Sequence, residues 1–183
     1  MVAIMRRRPR RHAGFTLIEM LLVVTVMGIL SAIAIPSLNR ARGAAYEAST
    51  IGSLHALHSG QALFSVACGG GYYAPSIPWL ATLPAGTTKP FIGPEFTTDS
   101  DVRQNYTIRF TLGTLVATAP ATCNGLAAGQ TVSTYFVGAD LVQLAFGMSR
   151  YFGVNSSGTI YQSTLRVPVT QTGSPAAPAT PIQ

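Results

Sequence analysis

Side chains able to do chemistry are few in this chain of 183 residues: six acids, three histidines and two cysteines. His55 and His58 stand three apart, a spacing that puts both on one face of a helix and within reach of a shared metal. No second ligand pair accompanies them, so they read as two partly exposed helix residues. Asp99-Ser100-Asp101 offers two carboxylates to a cation, where calcium takes roughly six to eight oxygens. No Gly-rich phosphate loop in a strand–helix setting and no nucleophile motif occurs. The sequence therefore predicts no catalytic residue, no metal and no cofactor, and a protein that is not an enzyme.

Glu19 is the acid that stands apart. It sits in a predominantly apolar stretch of 21 residues, Phe15 to Ile35, closed by Pro36. As a helix rising about 1.5 Å per residue, that stretch spans roughly 30 Å, one hydrocarbon core. A carboxylate inside a membrane helix costs roughly 2.5–3.5 kcal/mol on insertion scales, so it calls for a function and a partner.

The elements that must position this residue follow from charge and pattern. Hydrophobic residues make up 48% of the chain and charged ones 10%, which excludes a disordered polyelectrolyte and argues against a freely soluble cytosolic enzyme. The net charge of +6 is local: Arg6, Arg7, Arg8, Arg10 and Arg11 stand in residues 1–14 with no acid among them. The remaining residues carry seven basic against six acidic side chains, so the folded part lacks the basic face that nucleic acid needs. The basic end of the apolar helix is expected to stay cytoplasmic, with the rest of the chain delivered across the membrane.

Gly14-Phe15-Thr16-Leu17-Ile18-Glu19, preceded by Arg10-Arg11-His12-Ala13, resembles the prepilin signature of type IV pilins and type II secretion pseudopilins. The likeness continues through Met20–Val24, Gly28-Ile29-Leu30 and Ala32-Ile33-Ala34-Ile35-Pro36, about 40 residues in all. The resemblance implies that residues 1–14 are a leader removed by a membrane prepilin peptidase, which cuts between Gly14 and Phe15 and N-methylates Phe15. It implies that Glu19 pairs with the N-terminal amine of a neighbouring subunit and that Pro36 marks a kink or a locally melted stretch in a long helix. Methylation keeps the amine charged, so the pairing survives it. Implied partners are further copies of the chain, related minor pilins, the prepilin peptidase, an inner-membrane assembly platform and the lipid bilayer before assembly. Nucleic acid is expected only as pilus cargo. The implied location is the bacterial inner membrane, then an extracellular pilus or a periplasmic pseudopilus. A rival reading takes Ala32-Ile33-Ala34 as the cleavage site of an ordinary secretory signal, with a soluble binding protein beginning at Ile35. The length of the apolar run and Glu19 within it count against that.

The implied fold is α+β and pilin-like: a helix over 15–67, membrane-spanning over 15–35, its second half packed on a C-terminal antiparallel sheet. Ile51, Leu54, Leu57 and Phe64 give that second half a weak apolar face, interrupted by Gln61. Residues 68–104, opened by Gly69-Gly70-Gly71 and holding five prolines, read as an irregular connection. There Tyr72, Tyr73 and Trp79 are anchors to the core or a recognition surface. The head over 105–166 begins with a clean alternation from Tyr106 to Leu112. Thr114–Ala119 and Val132–Gly138 are further candidate strands, and Ser149–Val154 with Thr159–Ser163 reads as a hairpin like the closing hairpin of many pilin heads. Residues 167–183, Pro/Ala-rich at their end, read as a flexible tail. Beyond the membrane Cys68 and Cys123 face an oxidising compartment, where a disulfide is the expected state. Free thiols or a metal pair are the alternatives. A bridge there is worth roughly 4 kcal/mol of chain entropy. Asn105-Tyr106-Thr107 and Asn155-Ser156-Ser157 match the glycosylation sequon.

Overall fold

The structure, a computed structural model, describes residues 14–144 and 147–182; the arginine-rich leader before Gly14 lies outside the described residues. The first helix, α1, covers Leu17–Ala67, and the chain divides into two units along it, at Asn39/Arg40.

In the N-terminal unit, α1 opens where Thr16 caps it: the Thr16 hydroxyl accepts the Glu19 backbone N–H at 3.3 Å, and its carbonyl accepts that of Met20 at 3.2 Å. Residues 14–38 are exposed throughout. Successive apolar residues such as Leu21, Leu22, Ile29 and Leu30 point in different directions, so the helix is apolar all round. It is long and apolar enough to cross a membrane. The helical run includes Pro36 without a break, so no melted stretch stands there. Proline removes one N–H from the ladder, and the helix formers on either side carry the run past it.

The second unit, residues 40–183, holds the rest of α1, a short helix α2 (Ile77–Ala81) and six strands. These are β1 (Ser100–Arg103), β2 (Tyr106–Leu112), β3 (Tyr135–Leu141), β4 (Tyr151–Asn155), β5 (Ile160–Ser163) and β6 (Thr180–Pro181). They form one antiparallel sheet in chain order. The period-two pattern sorts the two faces. Tyr106, Ile108, Phe110, Tyr135, Val137, Ala139, Phe152, Val154 and Ile160 join Leu54, Leu57 and Phe64 of α1 in the main core. Ile51, part of the same helical stripe, is half-buried against it.

Four expectations change. Residues 68–104 are not merely irregular: Ala74, Ile77, Leu80, Ile92 and Phe96 are buried in the main core, and the segment contains α2 and β1. The turn from β1 to β2 places Gln104 and Asn105 at positive φ (42° and 68°), a two-residue hairpin without the glycine that usually announces one. β1 and β3 take both edges of β2, and Thr114–Ala119 forms an isolated bridge from Leu115 to Val132 instead of a strand of the sheet. The third strand runs Tyr135–Leu141 rather than from Val132.

The tail is the largest correction. Residues 167–179 run along the back of the sheet, where Val167 packs with Phe136 and Tyr161, and Ala179 packs against them, while Ile182 packs against the main core. Buried Asn155 donates through Nδ2 to the carbonyls of Thr170 (3.0 Å) and Gly173 (2.8 Å). Gln171 donates to the Leu112 carbonyl at 2.9 Å, and β6 pairs with β5. Proline and alanine weaken helix and ladder but do not prevent a chain from being laid down by specific hydrogen bonds. Gly138 and Gly153, cross-strand partners, make room for the Phe136 ring: a Cβ on Gly153 would lie 2.8 Å from it.

Candidate processing and assembly site

The candidate site is the start of α1. Gly14 and Phe15 precede the cap residue Thr16, and a Cβ on Gly14 would meet nothing within 4 Å. Phe15 is 74% exposed. Among the described residues, no side chain packs over Gly14 or Phe15. Thr16-Leu17-Ile18-Glu19 has the spacing of a capping box. Its N-cap half is formed. The Glu19 carboxylate has no partner among the described residues, so it stands one turn into the helix, exposed and available. The partial positive charge of the helix N-terminus favours an acid here. Gly28, Ser31, Ala32 and Ala34 leave the surface of this exposed stretch low enough for another helix to approach closely.

Elsewhere the candidate residues hold the head together. Cys68 and Cys123 form a disulfide, tying the end of α1 to the segment between β2 and β3. His58 Nδ1 and the Tyr135 hydroxyl share a hydrogen bond at 2.7 Å. Burial, then the charge of nearby His55, lowers the His58 pKa, while burial chiefly raises that of Tyr135. Asp99 accepts the Ile77 N–H at 2.6 Å and Asp101 pairs with Arg103 at 2.9 Å. Burial raises the Asp99 pKa against the pull of that hydrogen bond. Among the described residues no three His, Cys, Asp or Glu side chains come together to hold a metal. Trp79 and Tyr73 pack against the core; the Trp79 carbonyl accepts from Asn124 at 2.7 Å, and the Tyr73 ring meets Tyr135 edge-on at 5.0 Å. Asn155 of the second sequon is wholly buried.

Three contacts were not foreseen from sequence. Gln61, the interruption in the apolar stripe, is fully buried and bonds both ways to the backbone of Ala74: its amide donates to the carbonyl (3.0 Å) and its oxygen accepts the N–H (2.9 Å). Glu47 of α1, 7% exposed, pairs with Arg150, which also donates to Gln162 at 2.9 Å. The hydrogen bonds that Arg150 donates to Glu47 raise its pKa. On the back of the sheet Asp140 receives both Arg109 (2.7 Å) and Arg166 (2.6 Å), with its pKa raised by burial against the pull of Arg109. A lone polar residue inside an apolar helical stripe is the signal that could have found Gln61.

His58, Asp99, Asp101, Cys68 and Cys123 are thus committed within the head, whereas the start of α1 offers, among the described residues, a carboxylate without a partner and bare apolar surface. No curated protein and no solved structure matches the chain. Residues 9–35 match the family described as the prokaryotic N-terminal methylation motif, so this chain carries the signature of type IV pilins and pseudopilins.

Proposed function

We propose that the chain is a structural subunit of a type IV pilus-like filament, cut after Gly14 and N-methylated at Phe15 by a prepilin peptidase. The observation that carries this is the methylation motif, residues 9–35, running into a helix that is exposed from its start at Leu17 to Leu38. Before assembly that surface faces lipid. In the filament it faces the same surface of neighbouring copies, with Glu19 against a neighbour's Phe15 amine. In a water-excluded core an unpaired charge is heavily penalised, so the pair sets register more than it adds stability. A bend at Pro36, where the helix lacks one hydrogen bond, would help copies of the helix to pack.

A pseudopilin of a type II secretion system uses the same helix in a periplasmic piston. A soluble protein starting at Ile35 would require cleavage at Ala32-Ile33-Ala34, inside α1.

Intact mass and N-terminal sequence of the exported protein, without reduction, test the reading. The expected chain begins with monomethylated Phe15 and lacks two hydrogens at the cysteines. A chain beginning at Ile35 overturns it.

A further inference from the structure

We propose that Arg40 and Arg42 form a binding collar for anionic phospholipid headgroups on the far leaflet of the membrane that α1 crosses. The inference rests on the membrane-anchored precursor just described. Among the described residues, Arg103, Arg109, Arg150 and Arg166 each meet a carboxylate. Arg40 and Arg42 meet none and are exposed. They fall between the bare helical stretch and Gly43, the first residue of α1 that is buried.

Their spacing puts both backbone positions just beyond the headgroup layer, within reach of it for a side chain laid back along the helix. Arg40 follows Ile35 by five residues, about 7.5 Å of helix rise, and Arg42 by seven, about 10.5 Å. The polar region beyond the hydrocarbon is roughly 5–7 Å deep on each side. A long arginine stem lies back along the helix and delivers its guanidinium into that layer. At 100° per residue the two side chains leave on different sides of the helix, so each meets a different lipid. A guanidinium binds a phosphate diester by two parallel hydrogen bonds.

Cleavage gives the collar its importance. The precursor has five arginines on its cytoplasmic side; after the cut that end keeps one amine beside the Glu19 carboxylate. The larger lipid-facing positive charge is then Arg40 and Arg42, on the side toward which a subunit must leave.

The test takes the chain purified from the membranes of cells that carry a prepilin peptidase, places it in bilayer discs of equal phosphatidylglycerol and phosphatidylcholine, and counts retained lipids by native mass spectrometry. Wild-type protein is expected to retain phosphatidylglycerol in excess, on the order of five-fold per arginine. The excess should drop in R40Q/R42Q, persist in R40K/R42K, and resist millimolar inorganic phosphate. Unchanged head melting in both variants checks folding. Equal retention of both lipids by wild type, an undiminished excess in R40Q/R42Q, or displacement by free phosphate overturns the proposal. So does loss of inter-subunit cross-linking in R40Q/R42Q with the lipid ratio unchanged, which would assign the pair to a neighbouring copy. The same spectrum reads the chain's N-terminus, so an error in the Gly14 assignment shows separately from an error in the lipid assignment.

Discussion

The two stretches of α1 obey different rules although they belong to one helix. From Leu17 to Leu38 nearly any direction around the axis is apolar and exposed, and Glu19 is the one charge. From Gly43 to Phe64 one face is buried and polar residues punctuate it, each with its own counterpart: Glu47 with Arg150, His58 with Tyr135, Gln61 with Ala74. On the function proposed above, the first surface suits lipid and then many neighbours, so it cannot be specific to one contact. A surface that faces one sheet permanently can be, because a buried polar group with a dedicated partner excludes every other register.

The comparison can be broken or sharpened by experiment. The largest effect on head stability should come from Cys68→Ser with Cys123→Ser, which frees the 55-residue separation and lowers unfolding free energy by about 4 kcal/mol. Denaturant unfolding of the oxidised wild type against the variant measures it. Next comes Gln61→Ala, which strips both Ala74 backbone groups of their partner and opens a cavity. A loss of about 2–4 kcal/mol is expected in the same assay, and an unchanged midpoint would deny Gln61 its anchoring role.

A smaller effect is expected from pH. The folded His58 pKa is lowered from 6.5, so the unfolded state binds protons more readily. Stability should be flat above about pH 6.5 and should decline as pH falls from there to the folded value. Asp99 and Asp140, with raised carboxyl pKa values, act in the opposite sense nearer their own titration range. Thermal melts of wild type and His58→Gln at several pH values isolate the histidine, and the variant should show the shallower decline. Smallest of all is Glu19→Ala, expected to leave head unfolding unchanged while abolishing filament assembly. A shift in the head's midpoint would contradict the division of α1 into two regimes.

How much was legible in the sequence tracks these regimes too. The N-terminal helix announces itself through composition alone, since no other element makes 21 such residues in a row. The β2 alternation and the β4–β5 hairpin were equally plain, because Tyr106–Leu112 and Asn155-Ser156-Ser157-Gly158 carry their signals locally. What escaped depends on partners far along the chain. β1 is four residues long behind several prolines, and its strand character comes from pairing with β2. The C-terminal segment lacks any periodic pattern, yet Asn155, Ser156 and Gln171 fix it through backbone carbonyls. Arg150 and Glu47 are 103 residues apart, a distance over which no local pattern can pair them.

The buried stretch of α1 also has a mechanical meaning. Its ties to the rest of the head, at Glu47, His58, Gln61 and finally Cys68, are strung along about 31 Å of helix. A tug along the helix axis loads them side by side in shear. They must yield together, and the last of them is covalent. Tension entering at the N-terminal end therefore meets a lap joint that does not unzip.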